Sequence, residues 1–385
     1  MEDKVKVTAT KKRKKKKKVK MGKADMTIFV TVILLVSIGF LMVYSASSYY
    51  SLYNKGTTNY FFKKQIVWVP LGIIGMLYCM SRDYHIWKRY SIVAYLGVTA
   101  LLIFVLVGPE SIVPDINGAT RWINIKGFSL QPSELAKYAM VILGAQIIDN
   151  NKQIMGKSIK IPAIVLGLGG FYFILIEKEN NLSIASVVLL ATCVMLFVGG
   201  LNKKIISVLI PSGIGLGIVF IFSKSYRLAR ATNFLNPWAD ASGDGYQLVH
   251  SLLAIGSGGL FGSGLGQSKQ KALYMPEPHN DFIFSIIAEE FGFIGCLIVI
   301  GLFITLILAA LSVAVRAKDM YGKLVAVGIT TVIGFQAIIN IAVVTGSMPV
   351  TGVPLPFISY GGTSLVFTMA AMGVLLNISR QCREK

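Results

Sequence analysis

The chain has 385 residues, of which 54% are hydrophobic and only 15% are charged. That balance excludes an ordinary water-soluble enzyme and predicts a protein that crosses a membrane several times. Its four cysteines are scattered and form no CxxC or metal-ligand spacing. We therefore interpret them as packing thiols and expect no metal site from them.

The formal net charge of +20 is concentrated at the N-terminus, where Lys11 to Lys18 form an unbroken basic run. We predict that residues 1–24 are a disordered cytoplasmic tail held against anionic membrane lipids, and not a nucleic-acid-binding arm. The apolar run from Met26 to Tyr44, followed by Ser45-Ala46-Ser47, resembles a secretory signal with a cleavage site. It is long enough to span a bilayer, so we expect an uncleaved first helix.

Apolar runs predict an all-α polytopic membrane protein with about ten transmembrane helices. Residues 25–380 would form one membrane domain, followed by a short cytoplasmic end at 381–385. The eighth run is long enough that it must tilt or project beyond the bilayer. The predicted spans are 26–46, 66–80, 90–108, 135–149, 160–177, 182–200, 204–223, 282–313, 323–345 and 359–378.

Lysine and arginine cluster in every second loop between these spans. Short loops rich in these residues stay on the cytoplasmic side, so both termini are predicted to be cytoplasmic. The basic loops carry Arg82, Lys88, Arg89, Lys152, Lys157, Lys160, Lys203, Lys204, Arg316, Lys318 and Lys323.

The opposite, extracytoplasmic loops include a large segment, 223–280, between the seventh and eighth spans. Within it, six glycines between Gly256 and Gly266 argue against a spanning helix. We expect an interfacial or re-entrant helix at 247–255, with a flexible lid as the alternative. No Walker or GxGxxG pattern stands in a strand–helix context, which argues against ATP-driven transport.

Polar residues gather beside the predicted span ends on this side. Arg121 and Lys137 are cations that could bind phosphate oxygens at the membrane edge. Glu134 follows Pro132 and Ser133 in the first turn of a predicted helix, where the helix dipole alone would favour an acid.

A second polar segment carries Arg227 and Arg230, which share a helix face at a spacing of three. They could clamp an anion or anchor the chain to lipid headgroups. The residue types alone leave both interpretations open.

The third segment, Tyr274 to Phe293, places Glu277, His279 and Asp281 just before the eighth span. Asp281 could be an ordinary acid beside an Asn280 helix cap, or a general base with a raised pKa. Glu289 and Glu290 lie deeper on different helix faces, so they are not predicted to form an acid–base pair. We expect one of them to meet a buried cation or a polar neighbour such as Gln336 or Asn340, and carboxylates inside a membrane are costly unless paired. The histidines lack a third ligand at sensible spacing for zinc.

Four stretches together give this chain a family resemblance from Met26 to Arg380. It resembles the SEDS family, FtsW, RodA and SpoVE, the polymerases of bacterial peptidoglycan in the cell membrane. That resemblance implies ten helices, both termini cytoplasmic and the activity on the outer side. The stretches are NGATRWI with QPSELAK, YRLARATNFLNPW, GYQLVHSLLAIGSGGLFGSGLGQSKQKALYMPEPHNDFIF, and VPLPFISYGGTS from Val353 to Ser364.

The resemblance also implies a substrate, lipid II, and an inverting transfer with Asp281 at the position of the family's essential aspartate. In the implied reaction, Asp281 takes the proton of the attacking sugar hydroxyl as general base. Departing pyrophosphate needs positive charge, to which a divalent cation could add, although no cofactor is certain. The residues expected to bind substrate are Arg121, Glu134, Lys137, Arg227, Arg230, Lys271, Glu277, His279 and Ser359.

The family also implies partners: a class B penicillin-binding protein, and division or elongation proteins. The chain departs from the family at Glu179-Asn180-Asn181, where a Pro-Asp or Pro-Asn pair is common, and at Thr351, where some division members carry a lysine. A lipid II flippase and a non-catalytic scaffold for the penicillin-binding protein remain alternative functions. A flippase should show charges near mid-membrane and inverted repeats, but the polar motifs cluster at one face.

The charge distribution makes a direct prediction about topology. Reporters fused after Lys157 and after Lys318 should report the cytoplasm, whereas a reporter inserted at Ser242 should report the outside. Paired alkaline phosphatase and fluorescent protein fusions provide the measurement. An external signal at Lys157 would contradict the orientation and the placement of every candidate residue.

Overall fold

The computed structural model describes residues 22–202 except 117, 126 and 127, seven positions between 205 and 222, and residues 232–382 except 244 and 273. The lysine-rich tail up to residue 21, most of the predicted span 204–223, and Arg227 and Arg230 lie outside this part of the chain.

Ten α-helices account for most of the described residues. They are α1 (Met26–Lys55), α2 (Tyr60–Ser81), α3 (His85–Val107), α4 (Pro132–Asn150), α5 (Lys160–Lys178), α6 (Leu182–Val198), α7 (Tyr246–Gly258), α8 (Ile283–Arg316), α9 (Met320–Val344) and α10 (Gly362–Arg380).

Seven of these described helices are long and apolar enough to cross a membrane, so the chain is a multi-pass membrane protein. The shorter helix α6 is also apolar, and α4 coincides with the predicted span at 135–149. The short helix α7 confirms the expected helix at 247–255. The total of ten spans stays a prediction, because 204–223 lies largely outside the described residues.

Helix boundaries follow local capping chemistry. Asp25 caps α1 by accepting hydrogen bonds from two backbone amides, and Gly56 ends it in the left-handed conformation that glycine tolerates. The helix therefore continues beyond the predicted end at residue 46, through a polar and aromatic stretch that the apolar signal does not cover. Pro132 opens α4 at its first turn, as the sequence predicts.

Two small β-hairpins are a departure from the all-α prediction. The strands are β1 (Asp115–Ile116), β2 (Ala119–Thr120), β3 (Ile123–Ile125) and β4 (Phe128–Leu130), paired β1 with β2 and β3 with β4, both antiparallel. They are too short to produce a clear alternating pattern in the sequence. They lead the chain from the end of α3 to the start of α4.

Helix α9 lies at the centre of the bundle. In its most apolar window 72% of the residues are buried, against 22% for the peripheral α2. It packs against α4, α6, α8 and α10. Polar side chains on α9 are therefore shielded from both lipid and water, and they need partners inside the protein.

Helix α8 is divided at Gly292, which has φ 65° and ψ −164°. Across the break, the glycine-rich segment 259–264 pairs with the helix backbone. The Ser263 amide donates to the Glu289 carbonyl at 2.9 Å, and the Phe293 amide donates to the Gly259 carbonyl at 2.9 Å. The eighth predicted span is therefore not one regular helix, because the loop after α7 inserts against it at Gly292. Its tilt or projection beyond the bilayer stays a prediction.

Gly292 is therefore predicted to be intolerant of any side chain. A Cβ atom there would lie 2.4 Å from the Gly262 nitrogen, in a backbone region essentially restricted to glycine. We expect Gly292→Ala to lower the unfolding free energy by at least about 2 kcal/mol, from backbone strain alone. Thermal unfolding of the detergent-purified protein measures the effect.

Gly301 provides the matched control on the same helix, since nothing lies within 4 Å of a Cβ built there. Gly301→Ala should leave the unfolding temperature close to that of the wild type. Equal stability of the two variants would contradict the role of Gly292 as an obligatory break.

Candidate active site

Four segments converge at the end of the bundle where α4, α8 and α10 begin. They are the hairpins with the start of α4, the turn at 179–181, the segment 274–282, and the segment 346–361. We call this end the Asp281 face.

Asp281 lies two residues before α8 and is partly exposed. The helix cap position is Phe282, and no side chain caps the helix there. The predicted Asn280 cap is therefore wrong, because Asn280 instead donates its amide to Oε2 of Glu277 at 2.7 Å. Gly352 faces the Asp281 carboxylate so closely that a Cβ atom there would lie 3.3 Å from Oδ2.

The backbone around Asp281 is braced by the segment that precedes α10. The Ser359 hydroxyl donates to the Asn280 carbonyl at 2.8 Å and accepts the Leu355 amide at 2.8 Å. The Tyr360 amide donates to the His279 carbonyl at 2.9 Å. Ser359, predicted to bind substrate, is buried and its hydroxyl holds the two segments together.

His279 is buried among aromatic rings, with its ring centroid 4.1 Å from that of Phe61 and 5.3 Å from that of Tyr50. Burial lowers the pKa of His279 to about 3, so the ring is neutral at physiological pH. Its Nδ1 atom has no hydrogen-bond partner in the described part of the chain. The His279 ring would have to move out from between these aromatic rings to contact a substrate.

Glu277 is the exposed acid of the same segment. It adopts a positive φ of 46°, which is uncommon for a residue with a side chain. The Tyr50 hydroxyl donates to its Oε1 at 3.3 Å. Of the candidate acids, Glu277 and Asp281 are the two that remain open to solvent.

A buried ion pair lies behind this segment. The Lys137 ammonium donates to Oε2 of Glu134 at 2.7 Å and to Oε1 of Gln336 at 2.9 Å, and its side chain is wholly buried. The Ser364 hydroxyl also donates to Glu134. Glu134 and Lys137 therefore join α4, α9 and α10, and in this conformation neither reaches the surface as the predicted substrate contact requires.

Arg121 holds the turn between α5 and α6. Its guanidinium donates to the Glu179 carbonyl at 3.2 Å and to the Asn180 carbonyl. The Glu179 carboxylate is completely buried, with the Ser133 hydroxyl and the Arg121 guanidinium as its polar neighbours. Burial raises the pKa of Glu179 to about 8, against the opposing influence of Arg121. Arg121 is partly exposed, so it could also reach an anion.

A second buried ion pair lies deeper, between Lys271 and Glu290. The Lys271 ammonium donates to Oε1 of Glu290 at 2.6 Å and to the Ser45 hydroxyl at 2.8 Å. Glu289 accepts the Lys269 amide at 2.8 Å on a different face. The prediction that one glutamate meets a buried cation is confirmed, whereas Lys271 lies inside the protein and not at a substrate surface.

Gln336 and Asn340 have partners other than the predicted Glu289 and Glu290. Gln336 bonds Lys137, and Asn340 donates to the Asp281 carbonyl at 2.6 Å. In the described ranges, no group of three or more histidine, cysteine or acidic side chains is arranged to hold a metal ion.

The arrangement therefore presents a braced, partly exposed carboxylate at the end of a membrane bundle, with the Arg121 guanidinium at the same face. Such a carboxylate can accept a proton from a substrate hydroxyl, while a cation at the membrane edge can stabilise departing negative charge. Fold and site together describe a multi-pass membrane protein with a candidate acid–base site at one face.

Comparison with known proteins agrees. The model of the FtsW/RodA/SpoVE family, described as cell cycle protein, matches residues 25–384, and the chain belongs to this family. A probable peptidoglycan glycosyltransferase FtsW of Geobacter sp. (strain M18) is 38% identical and covers 93% of this chain and 97% of the relative. Stage V sporulation protein E of Bacillus subtilis (strain 168) is 40% identical and covers 93% and 98%.

Solved structures show the same fold. A chain from a study of how a peptidoglycan synthase complex coordinates polymerization and crosslinking superposes with a TM-score of 0.75 at 26% identity, covering 93% of this chain and 98% of that chain. The rod shape determining protein RodA of Thermus thermophilus superposes with a TM-score of 0.68 at 26% identity, covering 94% and 98%.

Sequence reasoning missed Ser364, Ser45 and Glu179 as members of the buried polar clusters. The two serines gave only a weak signal in the sequence, since serine is common in membrane helices. Glu179 was noted only as a departure from the family pattern. The available clue was an acid beside a predicted span end, since such an acid needs a partner if it is buried.

The Lys271–Glu290 ion pair leads to a prediction that distinguishes a structural role of Lys271 from a role in substrate binding. Lys271→Met would leave Glu290 buried without its cation, so we expect a loss of about 3–5 kcal/mol in unfolding free energy. The double variant Lys271→Met/Glu290→Gln should recover most of that loss. Thermal unfolding in detergent measures both.

A second possible outcome would support the hypothesis that Lys271 binds substrate. In that case Lys271→Met would unfold like the wild type and bind lipid II more weakly. Lys269, whose backbone but not side chain bonds Glu289, gives the control variant Lys269→Met.

Proposed function

We propose that the chain is a peptidoglycan glycosyltransferase that polymerises lipid II into glycan strands, with Asp281 as general base. The observation that carries the proposal is the braced, partly exposed Asp281 carboxylate at one end of a membrane bundle of this family. The names of the relatives from Geobacter and Bacillus subtilis support the activity.

In the proposed reaction, the acceptor's sugar 4-hydroxyl attacks the anomeric carbon of the donor with inversion. Asp281 takes the hydroxyl proton, and undecaprenyl pyrophosphate departs with the electrons of the broken bond. The Asp281 face lies outside the cell, both termini are cytoplasmic, and the lipid tails lie in a groove between helices open to the bilayer. The family description as cell cycle protein supports division as the cellular setting, and the name of the Bacillus subtilis relative supports sporulation, with elongation as the third possibility.

Among the predicted substrate-binding cations that the structure describes, Arg121 is partly exposed whereas Lys137 and Lys271 are buried in ion pairs, so we assign it the stabilisation of the departing pyrophosphate. Arg227 and Arg230, outside the described residues, remain candidates for the same role. A divalent cation could add charge stabilisation, but the described residues offer no three-ligand set for it. No step of the proposed reaction passes through a metal.

A partner of the class B penicillin-binding type would cross-link the strands that this chain makes. Similarity to a chain of a peptidoglycan synthase complex supports that partnership, with division or elongation proteins as further members. The complex is proposed to be stable in mild detergent, so co-purification at native expression levels tests it. Recovery of the chain alone would contradict it.

The catalytic proposal predicts a specific loss in Asp281→Asn. This substitution keeps the size of the side chain and removes the proton acceptor, so the polymerisation rate should fall roughly 10²–10⁴-fold. Folding and lipid II binding should stay close to wild type. The measurement is polymerisation of labelled lipid II by the purified protein with its partner added.

Glu277→Gln is the matched control, since Glu277 is an exposed acid in the same segment. We expect Glu277→Gln to lower the polymerisation rate less than Asp281→Asn does, because Glu277 is not the proposed base. Near-normal glycan chains from Asp281→Asn would remove Asp281 from the mechanism. Movement of lipid II without polymer, even by the wild type, would instead indicate a flippase, and inactivity in both assays would indicate a scaffold.

A further inference from the structure

Asn340 joins two separate backbone segments at the Asp281 face. It lies on α9 with 1% of its surface exposed. Its carboxamide nitrogen donates to the Asp281 carbonyl at 2.6 Å and to the Val353 carbonyl at 2.7 Å. Each of the two amide hydrogens therefore bonds one of the two backbone segments that flank the site.

The orientation of this carboxamide is determined by its partners. Backbone carbonyls can only accept hydrogen bonds, so the nitrogen of Asn340 must face them. Its Oδ1 atom is buried and finds no partner among the residues described. Such an atom costs stability, which is a sign that the amide is kept for the two bonds it donates.

The two anchored carbonyls flank the proposed base on both sides. One belongs to Asp281 itself, and the other belongs to Val353, the neighbour of Gly352, which faces the Asp281 carboxylate. Because Asp281 lies before α8 without a side-chain cap, its own helix does little to fix the peptide. The Asn340 amide supplies that constraint from the central helix.

The same helix also holds the buried ion pair one turn away. Gln336, four residues before Asn340, bonds the Lys137 ammonium. A cavity of about 10 Å³, lined by residues that include Gln336, Ser359 and Ser364, separates that cluster from the bracing segment. This volume suits about one water molecule. Helix α9 thus ties the Glu134–Lys137 pair and Asp281 to one rigid element.

We propose that Asn340 is a positioning residue for Asp281: it fixes the peptide of the base against the Gly352 wall, so that the carboxylate meets the acceptor hydroxyl. The inference rests on the proposed function. Asn340 touches the backbone of the base and not the substrate, so its removal should lower kcat and leave lipid II binding nearly unchanged.

The test compares Asn340→Leu and Asn340→Ser with the control Asn377→Leu. Asn377, on α10, is also fully buried and donates to a backbone carbonyl, that of Met80 at 2.8 Å, but its partners lie at the end of α2 and in the loop before α3. Polymerisation of labelled lipid II by the purified protein with its partner gives kcat and KM. Thermal unfolding in detergent reports stability for each variant.

We expect both Asn340 variants to lose roughly 10–100-fold in kcat, because a small misplacement of a reacting group has effects of that size. Their KM should stay within about threefold of wild type, as expected when a transition-state interaction is lost. Asn377→Leu should lose stability with kcat retained. A kcat near wild type in folded Asn340→Leu, or failure of both Asn340 variants to fold, would overturn the proposal.

A double-mutant cycle with Asp281→Asn separates this inference from the proposed function. If Asn340 acts through Asp281, adding Asn340→Leu to Asp281→Asn should cost little more in kcat. Full additivity of the two losses would contradict the positioning role while leaving Asp281 as the base. Normal polymerisation by Asp281→Asn alone would instead refute the proposed base itself.

Discussion

The buried ammonium of Lys137 is the constraint on which the centre of this bundle depends. A cation with no exposed side-chain surface must be neutralised and hydrogen-bonded where it lies, and Glu134 and Gln336 do both. Because these groups come from α4 and α9, the two helices are tied at a single depth. Asn340 then follows one turn away at the height of Asp281.

Buried polar atoms without partners, in the part of the chain that the structure describes, recur around the same end of the molecule. They include Nδ1 of His279, Oδ1 of Asn340, and the hydroxyl of Thr351 next to Gly352. An ordinary core would exclude such atoms, since each one costs stability. Proteins tolerate local violations of this kind mainly at functional sites, where substrate or water completes the bonding. Trp87 and Tyr321 carry such atoms at the opposite end, so those at the Asp281 face support a reaction centre only together with the carboxylate beside them.

The sequence predicted the helices well, because a membrane span is a long, local, apolar signal. It failed where contacts between distant segments decide the outcome. Helix α1 ends at Gly56, and Asn280, which was expected to cap α8, hydrogen-bonds Glu277 instead. The roles of the candidate residues stay predictions, but burial, which no local pattern reveals, places Lys137 and Lys271 in ion pairs inside the protein. The hydrogen bonds from Asn340 to the backbone carbonyls cannot be predicted from the sequence, because a residue of any type carries such a carbonyl.

The break at Gly292 changes how α8 should be regarded mechanically. Its first turns are joined by backbone hydrogen bonds to the glycine-rich segment at 259–264 and begin two residues after Asp281. Residues on both sides of the break bond this segment, so the loop and the two parts of α8 form one hydrogen-bonded unit, and Asn340 ties the Asp281 backbone to α9 beside it. Residues of the glycine-rich segment are therefore part of the backbone hydrogen bonding of α8, although the sequence separates them from the helix.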